Sequence, residues 1–70
     1  MPEEFIKNVT RFADTASEQQ IRARLLELEI LRDRLNPGNV RLDCNLAIRI
    51  LKRELAARKD VDNAVGRLFA

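Results

Sequence analysis

The 70-residue chain contains no histidine, tryptophan or tyrosine, only one cysteine, and only two prolines and two glycines. Cys44 has no second cysteine to pair with, so a disulfide framework is excluded, and without histidine a mixed Cys/His zinc site cannot be assembled. No histidine is present as a base for Cys44, which we interpret as a small core residue rather than a nucleophile. The chain also lacks a phosphate-binding glycine loop and a cluster of metal ligands. We therefore expect a protein that is not an enzyme and that uses no cofactor or metal.

Long apolar runs are absent too, so no segment is predicted to cross a bilayer and no membrane partner is expected. No signal peptide is recognisable, and a single unpaired cysteine agrees with a reduced, intracellular location. The three aromatic residues are all phenylalanines and none stands among the basic positions described below. This disfavours a single-strand binder, since such proteins stack bases on aromatic side chains.

What is present is a sequence rich in helix formers, with one strong interruption at Asn36-Pro37-Gly38-Asn39. We predict an all-α fold in a single domain spanning residues 1–70, with a helical region at 2–36 and a turn at 36–39. The spacing leaves two alternatives for the first region. It is either one long helix or two helices separated near residues 14–17, where Ser17 and Gln20 fit a capping box.

After the turn, Asn39 is a candidate cap for a helix at 39–59, and Asp60 is a candidate cap for a short last helix at 61–69. The expected architecture is a helical hairpin closed by a short C-terminal helix. A chain of 70 residues buries a small core by itself, and such domains often complete their core by association.

On a helical wheel, residues 40–59 carry two apolar stripes, and the first helical region also has more than one apolar face. One stripe can pack on the first helical region of the same chain, whereas the other needs a second partner, most simply another copy of the chain. We therefore predict an antiparallel four-helix-bundle homodimer. Its core and dimer contacts are expected from Leu25, Leu28, Leu31, Leu35, Cys44, Leu46, Ile50 and Leu51.

The remaining side of the same helix is basic, and no acidic residue interrupts it between residues 41 and 59. It comprises Arg41, Arg49, Lys52, Arg53 and Lys59, with Asn45 among them. Most charged helix faces only keep a surface hydrated, but this one continues along a helix about 30 Å long. Two such helices side by side in a dimer suit a long polyanion. Double-stranded RNA fits a flat basic face better than the DNA major groove, which requires an inserted helix.

The segment Pro37-Gly38-Asn39-Val40-Arg41-Leu42-Asp43 resembles the start of the long helix in the small double-stranded-RNA-binding silencing suppressors of insect nodaviruses. Lys59-Asp60-Val61 is similar to the end of that helix, and the broader similarity covers about the last half of the chain. The resemblance implies an all-helical dimer that lies along one face of an RNA duplex without reading its sequence. It implies shielding of long RNA from Dicer and of siRNA-like duplexes from loading, direct contact with Dicer as reported for some members, and a location in the host cytoplasm.

Within this resemblance, Arg53 occupies the position of a basic RNA contact. A second contact falls on Asp60 without gaps, and on Arg58 or Lys59 with a small gap. Two functions other than RNA binding stay open from the residues alone.

The stronger of these two alternatives is a helical protein-interaction adaptor or small phage or bacterial regulator that uses the apolar positions of residues 21–35. A DNA-binding regulator is the other, although no helix-turn-helix spacing supports it.

Overall fold

The computed structural model describes residues 2–69, with the side chains of residues 3–68, and it is built from helices alone within that range. Three helices follow one another along the chain: α1 (Pro2–Thr15), α2 (Glu18–Arg34) and α3 (Asn39–Phe69). The predicted all-α class is confirmed. Met1 and Ala70, the two ends of the predicted domain, lie outside the described residues.

The first helical region is divided into two helices at Ala16 and Ser17. Ser17 adopts an extended conformation, its hydroxyl oxygen accepts a hydrogen bond from the Gln20 backbone N–H at 3.1 Å, and the Ser17 N–H donates to Gln20 Oε1 at 2.9 Å. These two bonds form a capping box and satisfy N–H groups that would otherwise lack partners at the start of α2. The structure thus selects the second of the two alternatives left open by the sequence.

The turn between α2 and α3 comprises residues 35–38, one residue earlier than the predicted 36–39. Leu35 ends α2 in an extended conformation, and its N–H donates to the carbonyl oxygens of Leu31 and Arg32. At the start of α3 the Leu42 N–H donates to the Gly38 carbonyl oxygen at 3.0 Å, so Gly38 flanks the helix and Asn39 is its first helical residue. The expected cap at Asn39 is therefore displaced by one position.

Helix α3 has no break at Asp60, so the prediction of separate helices at 39–59 and 61–69 is wrong. The helix runs for 31 residues through Lys59, Asp60 and Val61. A cap at Asp60 would require that residue to leave the helical conformation and would sacrifice backbone hydrogen bonds. No proline follows Asn39 to force such an interruption, and Gly66 alone does not end the helix.

Both shorter helices pack against α3. Helix α2 runs antiparallel to α3 after the four-residue turn, so the predicted hairpin is formed by these two helices. The third element of the bundle is the N-terminal α1, not the predicted short C-terminal helix. Contacts of α1 lie along Ile50, Glu54 and Ala57. The second apolar stripe, from which a dimer is predicted, consists of Leu46, Ile50 and Ala57, and it is therefore partly covered within the same chain.

The core is small and lies where the three helices meet. Its buried residues are Ala13, Ala16, Ile21, Cys44, Ala47, Ile48 and Leu51. Of the eight positions predicted for core or dimer contacts, Cys44 and Leu51 are buried and five are partly buried, while Leu31 is 45% exposed. Ile48, with 4% exposure, is missing from the predicted set. It follows Cys44 and precedes Leu51 at helical spacing, which is the signal that could have identified it.

The carboxyl-terminal part of α3 extends beyond the bundle. At a rise of about 1.5 Å per residue, the helix is about 46 Å long, and the molecule measures 48 × 23 × 16 Å. Every described side chain from residue 61 to residue 68 is exposed. We call residues 61–68 the α3 overhang.

Candidate nucleic-acid interface

The basic side of α3 predicted from the helical wheel is a solvent-facing surface of the folded chain. Its members are exposed except for Arg41, which is partly buried. They follow one another along a helix whose opposite side packs on α1 and α2. We define the basic face as the residues Arg41, Asn45, Arg49, Lys52, Arg53 and Lys59.

Most charges on the basic face are available to a ligand. Lys52 is the exception, since its Nζ lies 3.6 Å from the Glu29 carboxylate of α2. Arg49, Arg53 and Lys59 form no ion pair with any described residue. The Lys52–Glu29 pair is 60% and 34% exposed at its two side chains, so its net contribution to stability is small. An incoming phosphate can replace Glu29 as the partner of Lys52.

Helix α2 adds a cation that the sequence argument did not include. Arg32 lines a shallow groove between α2 and α3 together with Asn45, Arg49, Lys52 and Arg53. Its guanidinium is 3.3 Å from Asp33 of the same helix. The short antiparallel turn brings the last turn of α2, which contains Arg32, beside the first turns of α3, and this is the signal in the sequence that could have identified Arg32. The candidate site is therefore a helix face with one basic edge contributed by α2.

Arg58 is turned away from the basic face and into the bundle. Its guanidinium donates to Glu54 Oε2 at 3.0 Å and to the Ala13 carbonyl oxygen at 2.8 Å. Both side chains of the Arg58–Glu54 pair are largely covered, with 31% and 25% exposure. Of the three positions suggested for the second RNA contact, Lys59 lies on the basic face, Arg58 does not, and exposed Asp60 carries the wrong charge for a phosphate.

The continuation of α3 past residue 59 changes the charge pattern at that end. Asp60 falls on the same side of the helix as Arg53, and Arg67 lies about two turns further along this side. The uninterrupted cationic surface thus extends from Arg41 to Lys59, a distance of about 27 Å along the helix axis.

Other chemistry is sparse among the described residues. Cys44 is a buried free thiol with 4% exposure, consistent with its interpretation as a core residue. No group of three or more cysteine and carboxylate side chains in residues 3–68 is placed to hold a metal ion. Among the helices of the described range, none combines the length and apolar character required to span a bilayer.

No protein-family model, curated protein or solved structure matches this chain. The similarity to nodaviral suppressors therefore stays a prediction carried by residues 37–43 and 59–61. The case for a function rests on the geometry and the charge of the basic face.

Proposed function

We propose that the chain binds double-stranded RNA, independently of its sequence, through the basic face of α3. The observation that carries this proposal is the row of cations, exposed from Arg49 to Lys59, on one side of one continuous helix. Binding that relies on phosphate contacts is expected to be insensitive to base sequence, since phosphates position a protein without identifying bases.

The dimensions of the basic face suit a polymer better than a small phosphate ligand. Its cations are spread over about 27 Å of helix, and in the described part of the chain they do not converge on one point. The α2–α3 groove is shallow and open, and it contains no backbone N–H cradle of the kind that encloses a single phosphate. A long polyanion can contact these cations in succession.

Duplex RNA is favoured over duplex DNA by the way the basic face is presented. Arg49 and Arg53 stand on the side of a helix that is held lengthwise against two others, so the helix cannot enter a major groove end-on. The minor groove of A-form RNA is wide and shallow and exposes phosphates and 2′-hydroxyls to a surface of this kind. Asn45, exposed between Arg41 and Arg49, can donate to or accept from a 2′-hydroxyl.

The biological role that accords with this binding mode is suppression of RNA silencing by a homodimer. Coating a long duplex would deny Dicer its substrate, and coating a short duplex would prevent its loading. This role is supported by the resemblance of residues 37–43 to the nodaviral suppressors, together with the basic face. The protein would act by occupancy and would need no catalytic group.

A gel-shift titration with a short RNA duplex of random sequence tests the proposal. The variant Arg49→Gln/Arg53→Gln removes two central cations of the basic face, and we expect at least a tenfold weaker affinity at about 100 mM salt. The matched control is Arg24→Gln/Arg34→Gln, which changes the charge equally on α2. Arg24 lies over the Phe12 ring, 5.4 Å from its centroid, in a groove that α1 and α2 line together with Leu51 of α3.

The control variant is expected to bind RNA as the unchanged chain does. Equal losses in the two double variants would show that only net charge matters and would overturn the assignment of the basic face. Absence of duplex binding by the unchanged chain at low salt would overturn the function itself.

A protein-interaction adaptor is the second candidate, and one observation favours it. Leu26 and Ile30, with 59% and 47% exposure, lie one turn apart on the side of α2 that faces away from the bundle. Exposed apolar positions at this spacing can receive an amphipathic helix of another protein. Association through them would resist added salt, whereas RNA binding would collapse with it, so a salt series separates the two candidates.

A further inference from the structure

We infer that the α3 overhang is the dimer contact, and that a second copy of the chain covers it in antiparallel orientation. This inference rests on the homodimer in the proposed function and adds the surface that forms it. It does not depend on RNA. The evidence is the apolar pattern of α3, the exposure of the overhang, the total surface of the chain and the position of α1 and α2.

The line of α3 residues that faces the other helices continues past the end of the bundle, with two charged residues, Glu54 and Arg58, between its apolar ends. Residues spaced alternately three and four apart form what we call the α3 seam, which consists of Cys44, Ala47, Leu51, Glu54, Arg58, Val61, Val65 and Leu68. Such spacing is the pattern by which helices pack side by side over several turns. The first three members are buried, and Arg58 contacts α1 through the Ala13 carbonyl oxygen. The last three have no packing partner among the described residues.

Exposure of these three side chains is high. Val61 is 62% exposed, Val65 46% and Leu68 80%. They fall on one side of the overhang, whereas the polar residues Asn63 and Arg67 fall on the other side. An apolar stripe that continues a core seam into solvent is typical of an interface.

The local sequence of the overhang gives an independent reason to expect a partner. Val61, Asn63, Val65 and Gly66 all have lower helix propensity than alanine or leucine. Helices made of such residues are maintained chiefly by packing of an apolar face. Among the described residues of one chain, that packing is absent after Arg58.

The surface of the whole chain leaves room for association with a second copy. A compact monomer of 8.1 kDa is expected to expose about 4,500 Å², whereas this chain exposes 5757 Å². The excess of roughly 1,300 Å² exceeds the 600–1,000 Å² or so that each partner buries in a standard interface. The radius of gyration, 14.1 Å, is also larger than the roughly 11 Å of a compact chain of this length. Self-association needs no further protein to remove this excess.

The position of α1 and α2 determines the orientation. These helices cover the α3 seam as far as Arg58, so a parallel partner would have to place its own α1 and α2 in the same space. In an antiparallel pair the two bundles lie at opposite ends, and only the overhangs overlap. A two-fold axis near Val65 relates the copies, and the end of each overhang approaches the Ala16–Ser17 turn of the other.

This arrangement differs from the side-by-side helices expected from the sequence. On the helical wheel, Val65, at the centre of the overhang contact, lies nearly opposite Arg49. The basic faces of the two copies therefore point to opposite sides of the dimer. Each copy would bind its own length of duplex, and one dimer could hold two duplexes together.

The oligomeric state of the free protein tests the inference. We expect light scattering at about 100 µM to give twice the 8.1 kDa of the chain. The variant Val61→Gln/Val65→Gln/Leu68→Gln removes the exposed seam without changing charge and should give the monomer mass. The matched control Leu26→Gln/Ile30→Gln/Leu42→Gln removes three apolar side chains that are exposed to a similar degree elsewhere and should stay dimeric.

A distance measurement tests the orientation without disturbing the seam. Spin labels are attached to Leu42→Cys in a Cys44→Ala background. The labels of the two copies should lie about 70 Å apart in the antiparallel end-to-end dimer. A separation below about 40 Å would indicate bundles that lie side by side and would overturn the inference. A monomeric unchanged chain, or a seam variant that stays dimeric, would overturn it as well. None of these results bears on whether the basic face binds RNA.

Discussion

The guanidinium of Arg58 donates a hydrogen bond of 2.8 Å to the carbonyl oxygen of Ala13, 45 residues earlier in the chain. Ala13 lies in the last turn of α1, where carbonyl oxygens lack partners within the helix and the helix dipole favours a cation. Arg58 therefore joins the end of α1 to the middle of α3. A side chain that could have been taken as a phosphate ligand from its sequence position holds the bundle together instead.

Replacing Arg58 by methionine should reduce the free energy of unfolding by about 1–3 kcal/mol, because it leaves the Ala13 oxygen and the partly buried Glu54 carboxylate without a partner. Urea unfolding followed by circular dichroism measures the change. RNA affinity, determined where the variant is fully folded, should change less than in Arg49→Gln/Arg53→Gln.

Arg22→Met is the matched control for this substitution. Arg22 forms an exposed pair with Glu18 at 2.8 Å, and its loss should cost no more than about 0.5 kcal/mol. If the two variants unfolded at the same urea concentration, the stabilising role assigned to the Arg58 hydrogen bonds would be refuted.

Ser17 starts α2 through its capping box, so Ser17→Ala should lower the free energy of unfolding by about 1 kcal/mol. Ser17→Asp keeps an acceptor for the Gln20 N–H and should restore most of the loss. Thermal unfolding of the three proteins provides the comparison. Equal stability of the alanine and aspartate variants would mean that the cap contributes nothing measurable.

Gly66 is the one helical glycine, and a Cβ built on it meets no atom within 4 Å. Gly66→Ala should therefore stabilise α3 by up to about 1 kcal/mol through its higher helix propensity. Helical signal at 222 nm and the unfolding midpoint should both rise. Gly66 lies away from the α3 seam, so a weaker dimer in this variant would contradict the placement of the seam.

The helical class, the hairpin and the basic face were predictable because each depends on local signals. Pro37 and Gly38 mark the turn, Ser17 and Gln20 mark a cap, and the charges of α3 separate on a helical wheel. These features need no knowledge of which helix lies against which.

The predictions that are wrong or incomplete concern features that tertiary contacts determine. Asp60 has the composition of a helix cap, but α3 continues through it. The packing of α1 on Ile50 cannot be known from either helix alone. Ile48 stands next to Arg49 in sequence but faces Leu51 and Cys44 on the wheel, so helical spacing alone marks it as a core position. Arg58 has the composition of a ligand residue, and only its distance to Ala13 shows its structural role.

The most direct test of the central claim compares binding to RNA and DNA duplexes of equal length and random sequence over a series of salt concentrations. We expect submicromolar binding to RNA at low salt, binding to DNA that is at least tenfold weaker, and a logarithmic salt slope of about −4 for the cations of one basic face. Equal affinity for both duplexes, or RNA binding that does not change with salt, would contradict the proposal that the basic face of α3 is a double-stranded-RNA site.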